Sequence, residues 1–89
     1  MDKFFVGSIA MDKTMRDDLG FEKYSTNNKI YYCGYLKSGD CVEVVVGDKI
    51  DVNFVNFKNN YAKLCEFKKE IDVGFLKRYL TSLILAFDR

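Results

Sequence analysis

Asp51 and the run Glu66-Phe67-Lys68 are the residues of this chain that could do chemistry together. Two carboxylates and an amine at one place can hold a divalent cation and prepare a water for attack on a phosphate. Cysteine is the other reactive type, at Cys33, Cys41 and Cys65. A thiol becomes a nucleophile only as the thiolate, and histidine, its usual activator, is absent from all 89 residues. The same absence removes the commonest general base and metal ligand near neutral pH, and with them most hydrolase and zinc-site chemistries. Neither a C-x-x-C spacing nor a glycine-rich phosphate loop occurs. The sequence therefore assigns no catalytic residue, no metal ligand and no cofactor. Asp51, Glu66 and Lys68 are left as the one constellation to weigh.

The elements that would position these groups are short and alternating. Apolar–polar alternation marks strands at Phe21–Tyr24, Lys29–Leu36, Cys41–Val46, Ile50–Phe57 and Tyr61–Phe67, and a further strand is expected over residues 3–10. Turn-forming residues separate them at Ser25-Thr26-Asn27-Asn28, Lys37-Ser38-Gly39-Asp40, Gly47-Asp48-Lys49 and Lys58-Asn59-Asn60. A short helix precedes Phe21: Asp12 suits its N-cap, Met15 and Leu19 share a face, and Gly20 suits the C′ position. Asp17 and Asp18, near its C-terminus, oppose the helix dipole and read as solvated. Asp72–Phe87 reads as a second helix, capped by Asp72, with Leu76, Leu80, Leu83 and Phe87 as a stripe flanked by Phe75, Tyr79 and Ala86. Burying four such side chains contributes ~6–10 kcal/mol before entropy is counted. The expected fold is one α+β domain over residues 1–89. It is a four- to five-stranded antiparallel meander with the C-terminal helix on one face and a short helix near the N-terminus.

Register follows from three turns. A two-residue Ser38-Gly39 turn places Tyr35, Cys33 and Tyr31 opposite Val42, Val44 and Val46. A three-residue loop at 47–49 sets Val46, Val44 and Val42 beside Ile50, Val52 and Phe54. A two-residue Asn59-Asn60 turn sets Val52 and Phe54 beside Phe67 and Cys65. One apolar face across four strands results, and a one-residue slip would scramble it. The reverse face then carries Tyr32, Leu36, Cys41, Val45, Val55, Phe57, Ala62 and Leu64 among Glu43, Asp51, Asn53, Glu66 and Lys68. On it Asp51 lies across from Lys68 and Asn53 across from Glu66. Either the N-terminal strand and helix cover this face, or it is a surface for a partner or a second copy, since contiguous apolar area marks binding. Its partner-binding candidates are Tyr32, Leu36, Val45, Val55, Phe57 and Leu64.

The cysteines read as unpaired. A two-residue loop puts Cys33 and Cys41 on opposite faces, and a three-residue loop sets Cys41 opposite Lys37, roughly 13 Å along the strand from Cys33. A disulfide needs Cα atoms within about 7 Å. Three free thiols are expected, as in a cytoplasmic protein.

Composition is that of a globular domain, with 48% hydrophobic and 30% charged residues. Eight Phe and six Tyr supply all the aromatic rings. No apolar run reaches bilayer length, and the N-terminal segment, with Asp2 where a signal peptide is basic, is not expected to be a leader. Net charge is +1; residues 1–57 carry seven basic and nine acidic groups, and residues 58–78 carry six and three. That asymmetry is too mild for a nucleic-acid footprint, although Lys58–Arg78 is where phosphate contact would fall.

Two resemblances attach to these residues. Asp51 beside Glu66-x-Lys68 resembles the metal-binding core of PD-(D/E)xK nucleases, which implies Mg²⁺ on the carboxylates and a lysine assisting the attacking water. The Pro-Asp start is missing, and a cross-strand Asp–Lys pair is also an ordinary stabilising device. The run Leu19-Gly20-Phe21-Glu22-Lys23-Tyr24, then Lys29-Ile30-Tyr31-Tyr32 and a meander into an apolar helix, resembles small proteins of phages and mobile elements in AT-rich Gram-positive bacteria. It spans about residues 19–87, and eleven lysines against three arginines fit such coding. This resemblance implies a non-enzymatic protein-binding module, an inhibitor of a host or defence enzyme of the anti-CRISPR kind. The alternative is a nucleic-acid-directed protein, either a weak binder or a Mg²⁺-dependent nuclease.

Overall fold

Two hairpin loops of the same construction decide how the strands face. In the first, the Leu36 N–H donates to the Asp40 carbonyl at 2.8 Å and the Gly39 N–H to the Leu36 carbonyl at 3.0 Å. In the second, the Asn56 N–H donates to the Asn60 carbonyl and the Asn59 N–H to the Asn56 carbonyl, each at 2.9 Å. Both are three-residue loops whose third residue is left-handed, Gly39 at φ 94° and Asn59 at φ 68°. That is the geometry of a type I turn followed by a left-handed residue. The asparagine side chain helps, since Asn56 Oδ1 accepts from the N–H groups of Lys58 and Asn60.

The computed structural model describes residues 9–26 and 28–88. Five strands, β1 (Glu22–Thr26), β2 (Lys29–Tyr35), β3 (Cys41–Val46), β4 (Lys49–Val55) and β5 (Tyr61–Lys68), form one antiparallel sheet in sequence order. Helix α1 covers residues 9–18 and α2 covers Val73–Phe87. The α+β meander is as the alternation dictates. Of the strand expected over residues 3–10, positions 3–8 lie outside the described residues, and Ile9 and Ala10 begin α1 instead. Asp12 is accordingly inside the helix and not its N-cap. The last turn of α1, Thr14–Asp18, is a π-helical turn, closed by the Leu19 N–H on the Thr14 carbonyl at 3.0 Å. Gly20, at φ 73°, ends the helix as its C′ position requires.

The three-residue loop at 37–39 shifts β2 by one residue from the expected register. Ile30, Tyr32 and Gly34 pair with Val46, Val44 and Val42, and Tyr31, Cys33 and Tyr35 pair with Val45, Glu43 and Cys41. The β3–β4 register is the expected one, Val46 with Ile50, Val44 with Val52 and Val42 with Phe54. In β4–β5, Ile50 faces Phe67 and Val52 faces Cys65, and past a bulge at Leu64 the ladder resumes as Asn53 with Lys63 and Phe54 with Ala62. The loop at 57–59 has three residues in place of the expected two-residue Asn59-Asn60 turn, so Ala62 lies on the Phe54 side and not on the reverse face. Val52 accordingly meets Cys65 rather than Phe67, and the bulge then returns Cys65 and Phe67 to the expected face.

Both helices pack on one face. Met11, Met15, Phe21, Tyr32, Leu36, Val42, Val44, Ile50, Val52, Leu76 and Leu80 form a continuous buried core, edged by Phe54, Phe67, Tyr79 and Leu83. Asp72 caps α2 by accepting the Phe75 N–H at 2.9 Å. The fully buried Leu76 and Leu80 contribute about 2 kcal/mol each before entropy. Phe75 and Tyr79 meet Phe67 edge-on at 6.0 and 5.4 Å, and Phe87 lies 5.0 Å from Phe54.

Helix α1 is held differently. The Asp12 carboxylate takes Lys23 Nζ at 2.6 Å, the Tyr32 hydroxyl at 3.0 Å and Arg16 Nη1 at 3.4 Å, tying the helix to β1 and β2. The Lys23 hydrogen bond, with smaller help from Tyr32 and Arg16 and against desolvation, holds the Asp12 carboxyl below its ordinary 3.8. Asp18 is paired and not simply solvated, with Lys77 of α2 at 3.4 Å and Lys13 at 4.0 Å.

Two outcomes follow. Replacing Gly34 by Ala places a Cβ inside contact distance of the Phe21 ring, so G34A should cost ~1–3 kcal/mol in urea unfolding. Asp12→Asn should cost about 1 kcal/mol, a value reduced by the partial exposure of the site. Because the folded pKa of Asp12 is lowered, its stabilisation is present above pH 3.8 and is lost as pH falls through the folded value. The difference between wild type and D12N should therefore shrink toward pH 3.

Candidate partner-binding face

The face turned away from the helices is read directly from the ladders. One row crosses Tyr35, Cys41, Val55 and Tyr61; the next crosses Glu22, Cys33, Glu43, Asn53 and Lys63. A third crosses Tyr24, Tyr31, Val45, Asp51 and Glu66. Among the described residues no element packs across these rows, because α1 lies with α2 on the other side.

Tyrosine dominates it. Tyr24 and Tyr31 stack with centroids 5.0 Å apart and planes 2° from parallel. The Tyr24 hydroxyl donates to Glu43 Oε2 at 2.9 Å, and Asn53 Nδ2 reaches Glu43 Oε1 at 3.4 Å. Burial and the Glu43 hydrogen bond push the Tyr24 phenol well above its ordinary range, so it stays a neutral donor. Asn53 is itself buried, and its Oδ1 has no hydrogen-bond partner among the described residues. At the open end of the sheet Tyr35 and Tyr61 are 64% and 71% exposed. On the β4–β5 loop at the same end, Phe57 is 72% exposed, its N–H held by Asp40 Oδ1 at 3.0 Å and its ring 5.8 Å from Lys58 Nζ. Asp40 thereby ties the two loops together.

On this face Glu66, and at longer range Asp51, are already paired with lysines. Lys63 Nζ lies 2.6 Å from Glu66 and 3.4 Å from Asp51, and Lys49 Nζ lies 2.9 Å from Glu66. Those two ammonium groups hold the Glu66 carboxyl down at about 2. Asp51 faces Glu66, not Lys68, which lies across from Lys49; the longer loop and the Leu64 bulge together displace the expected pairing. A lysine ammonium sits between the two carboxylates where a cation would have to bind. Among the described residues no group of three or more His, Cys, Asp or Glu is placed to hold a metal ion.

The six expected binding residues separate into two groups. Tyr32 and Leu36 are core residues, 2% and 6% exposed, because the β2 shift turns them under the helices. Val45 and Val55 do lie on the open face, Val45 almost closed off and Val55 half-buried. Phe57 is at the loop tip and Leu64 at the bulge, both exposed. Tyr24, Tyr31, Tyr35 and Tyr61 are the residues that sequence reasoning missed. The signal was Gly39, whose place at the third position of a hairpin loop marks a three-residue connection and reverses β2.

Compared with protein-family models, with curated proteins and with solved structures, the chain matches none. The likeness to phage and mobile-element proteins stands on its quoted residues alone. No helix among the described residues is long and apolar enough to cross a membrane. One outcome tests the charge arrangement: Lys63→Met should raise the Glu66 titration midpoint from about 2 toward its ordinary 4.5, as followed by NMR of the side-chain carboxyl.

Proposed function

We propose that this protein is a small binding module that docks another protein on the open face of its sheet, centred on the Tyr35–Cys41–Val55–Tyr61 row and the Phe57 tip. The observation that carries it is a tyrosine-rich face left open by both helices, with its three most exposed aromatics, Tyr35, Phe57 and Tyr61, at the end formed by the 37–39 and 57–59 loops. Tyrosine and phenylalanine supply large contact area at small entropic cost, and the phenol serves as a polar handle. Charge supports a protein partner over a polyanion. By the ladders, Lys29, Lys49, Lys63 and Lys68 share the face with Glu22, Glu43, Asp51 and Glu66, so it has no excess of positive charge to offer phosphates. The perturbed groups also move away from neutrality, Tyr24 upward and Glu66 down to about 2, which suits scaffolding more than proton transfer. The layout resemblance extends the proposal to a stoichiometric inhibitor of a host or defence enzyme.

The stacked Tyr24–Tyr31 pair favours one second reading, a platform on which single-stranded bases stack. A paired capture experiment separates the two. Immobilised wild type, a Phe57→Asp/Tyr61→Asp variant and a Thr81→Asp variant on the outer side of α2 are exposed to the same bacterial lysate. A protein retained by wild type and T81D, lost at least tenfold on F57D/Y61D, and unaffected by nuclease treatment supports the proposal. Retention that is insensitive to F57D/Y61D, or abolished by nuclease, would remove it. Tyr32→Asp would instead place a charge in the core, since Tyr32 is buried under the helices.

A further inference from the structure

Cys33 and Cys41 are the residues that sequence spacing holds apart and the fold brings together. Because Tyr35 pairs with Cys41 and Cys33 with Glu43, the two cysteines are diagonal neighbours on the open face of β2 and β3. Their Sγ atoms lie 3.0 Å apart, both side chains are buried, and both are free thiols. Two thiols in contact, on strands already locked in one ladder, stand about 1 Å beyond the S–S bonding distance of about 2.05 Å. Cys65 provides the contrast. It lies on the helix-covered side, with its Sγ 3.1 Å from the Tyr79 hydroxyl.

We propose that Cys33 and Cys41 are a modification site, a dithiol that a peroxide or a low-molecular-weight disulfide converts to an intrachain bridge between β2 and β3. With hydrogen peroxide, one thiolate attacks a peroxide oxygen, the O–O bond breaks, and the departing hydroxide takes up the thiol's proton as water. The second thiol then attacks the sulfenic sulfur; the S–S bond forms, the S–O bond breaks, and a second water carries off the remaining proton. Two thiols and one peroxide give one disulfide and two waters, with two electrons passing from sulfur to oxygen. With a small disulfide, the first attack releases one thiol and leaves a mixed disulfide, and the second cysteine expels the other. Burial sets the pace of this chemistry. Desolvation, then the hydrogen bond with Cys33, pushes the Cys41 thiol up to about 12, so thiolate is scarce at neutral pH and oxidation quickens as pH rises.

The bridge encloses the hairpin that carries Tyr35 and the loop ending at Asp40, and its formation in the isolated chain is independent of the proposed docking. The native full chain is treated with hydrogen peroxide or oxidised glutathione, quenched by alkylation, and analysed by thiol count and peptide mapping. Free thiols should fall from three to one, with Cys33 and Cys41 in a single linked fragment that a dithiol reductant releases. Cys65→Ser should form the same link, whereas Cys41→Ser and Cys33→Ala, each shown to be folded by circular dichroism, should form no intrachain link. Retention of all three thiols, or linkage mainly through Cys65 or between chains, defeats the proposal.

Discussion

The parity of two hairpin loops governs everything else in this molecule. Side chains alternate along a strand, so one residue more or less in a connection turns the whole strand over. Gly39 and Asn59 take left-handed backbone at the third position of their loops, which a bulky or branched residue would resist. With Gly39 there, Ile30, Tyr32, Gly34 and Leu36 go beneath the helices and Tyr31, Cys33 and Tyr35 go outward. From that single choice follow the seat for Phe21 on Gly34, the reach of Tyr32 to Asp12 and the meeting of two thiols.

The two helices are fastened to the sheet by different forces. Helix α2 relies on apolar area, with Leu76 and Leu80 fully enclosed and three aromatic contacts along its length. Helix α1 places Met11 and Met15 in the same core, yet its orientation depends on one carboxylate shared by Lys23, Tyr32 and Arg16. Asp18 and Lys77 then join the helices to each other. Partly exposed ion pairs contribute little individually, but Asp12 gathers three partners from two strands and its own helix, which fixes position more than it adds energy.

Much of this fold was legible in the sequence because period-two alternation between turn residues is a local signal. The strands 41–46 and 61–68, the 47–49 loop and the capped stripe of α2 all follow from residues close together in the chain. The faces of β2 were not legible, since Ile30-Tyr31-Tyr32-Cys33-Gly34-Tyr35-Leu36 places an amphipathic ring on either side and alternation there says nothing. The Leu64 bulge has no local mark either. Asp12 was misread as a helix N-cap, because the helix begins at Ile9 and the partners of Asp12 are at positions 23 and 32, which only the closed structure brings near. The binding candidates divided along the same line: Val45 and Val55 stand on strands whose parity was read correctly, Tyr32 and Leu36 stand on the strand that was reversed, and Phe57 stands in a loop one residue longer than expected.

The rim of the sheet bears on how this chain behaves when crowded with its own copies. Among the described residues β1 and β5 are the two borders of the meander, and each offers backbone groups to any neighbouring chain. One border, β1, is only five residues long and carries Lys23; the other, β5, is interrupted by its extra residue and carries Lys63 and Lys68. A foreign strand laid along either would find the ladder broken or a charge in its path. Growth of endless ribbons is thereby discouraged at both borders.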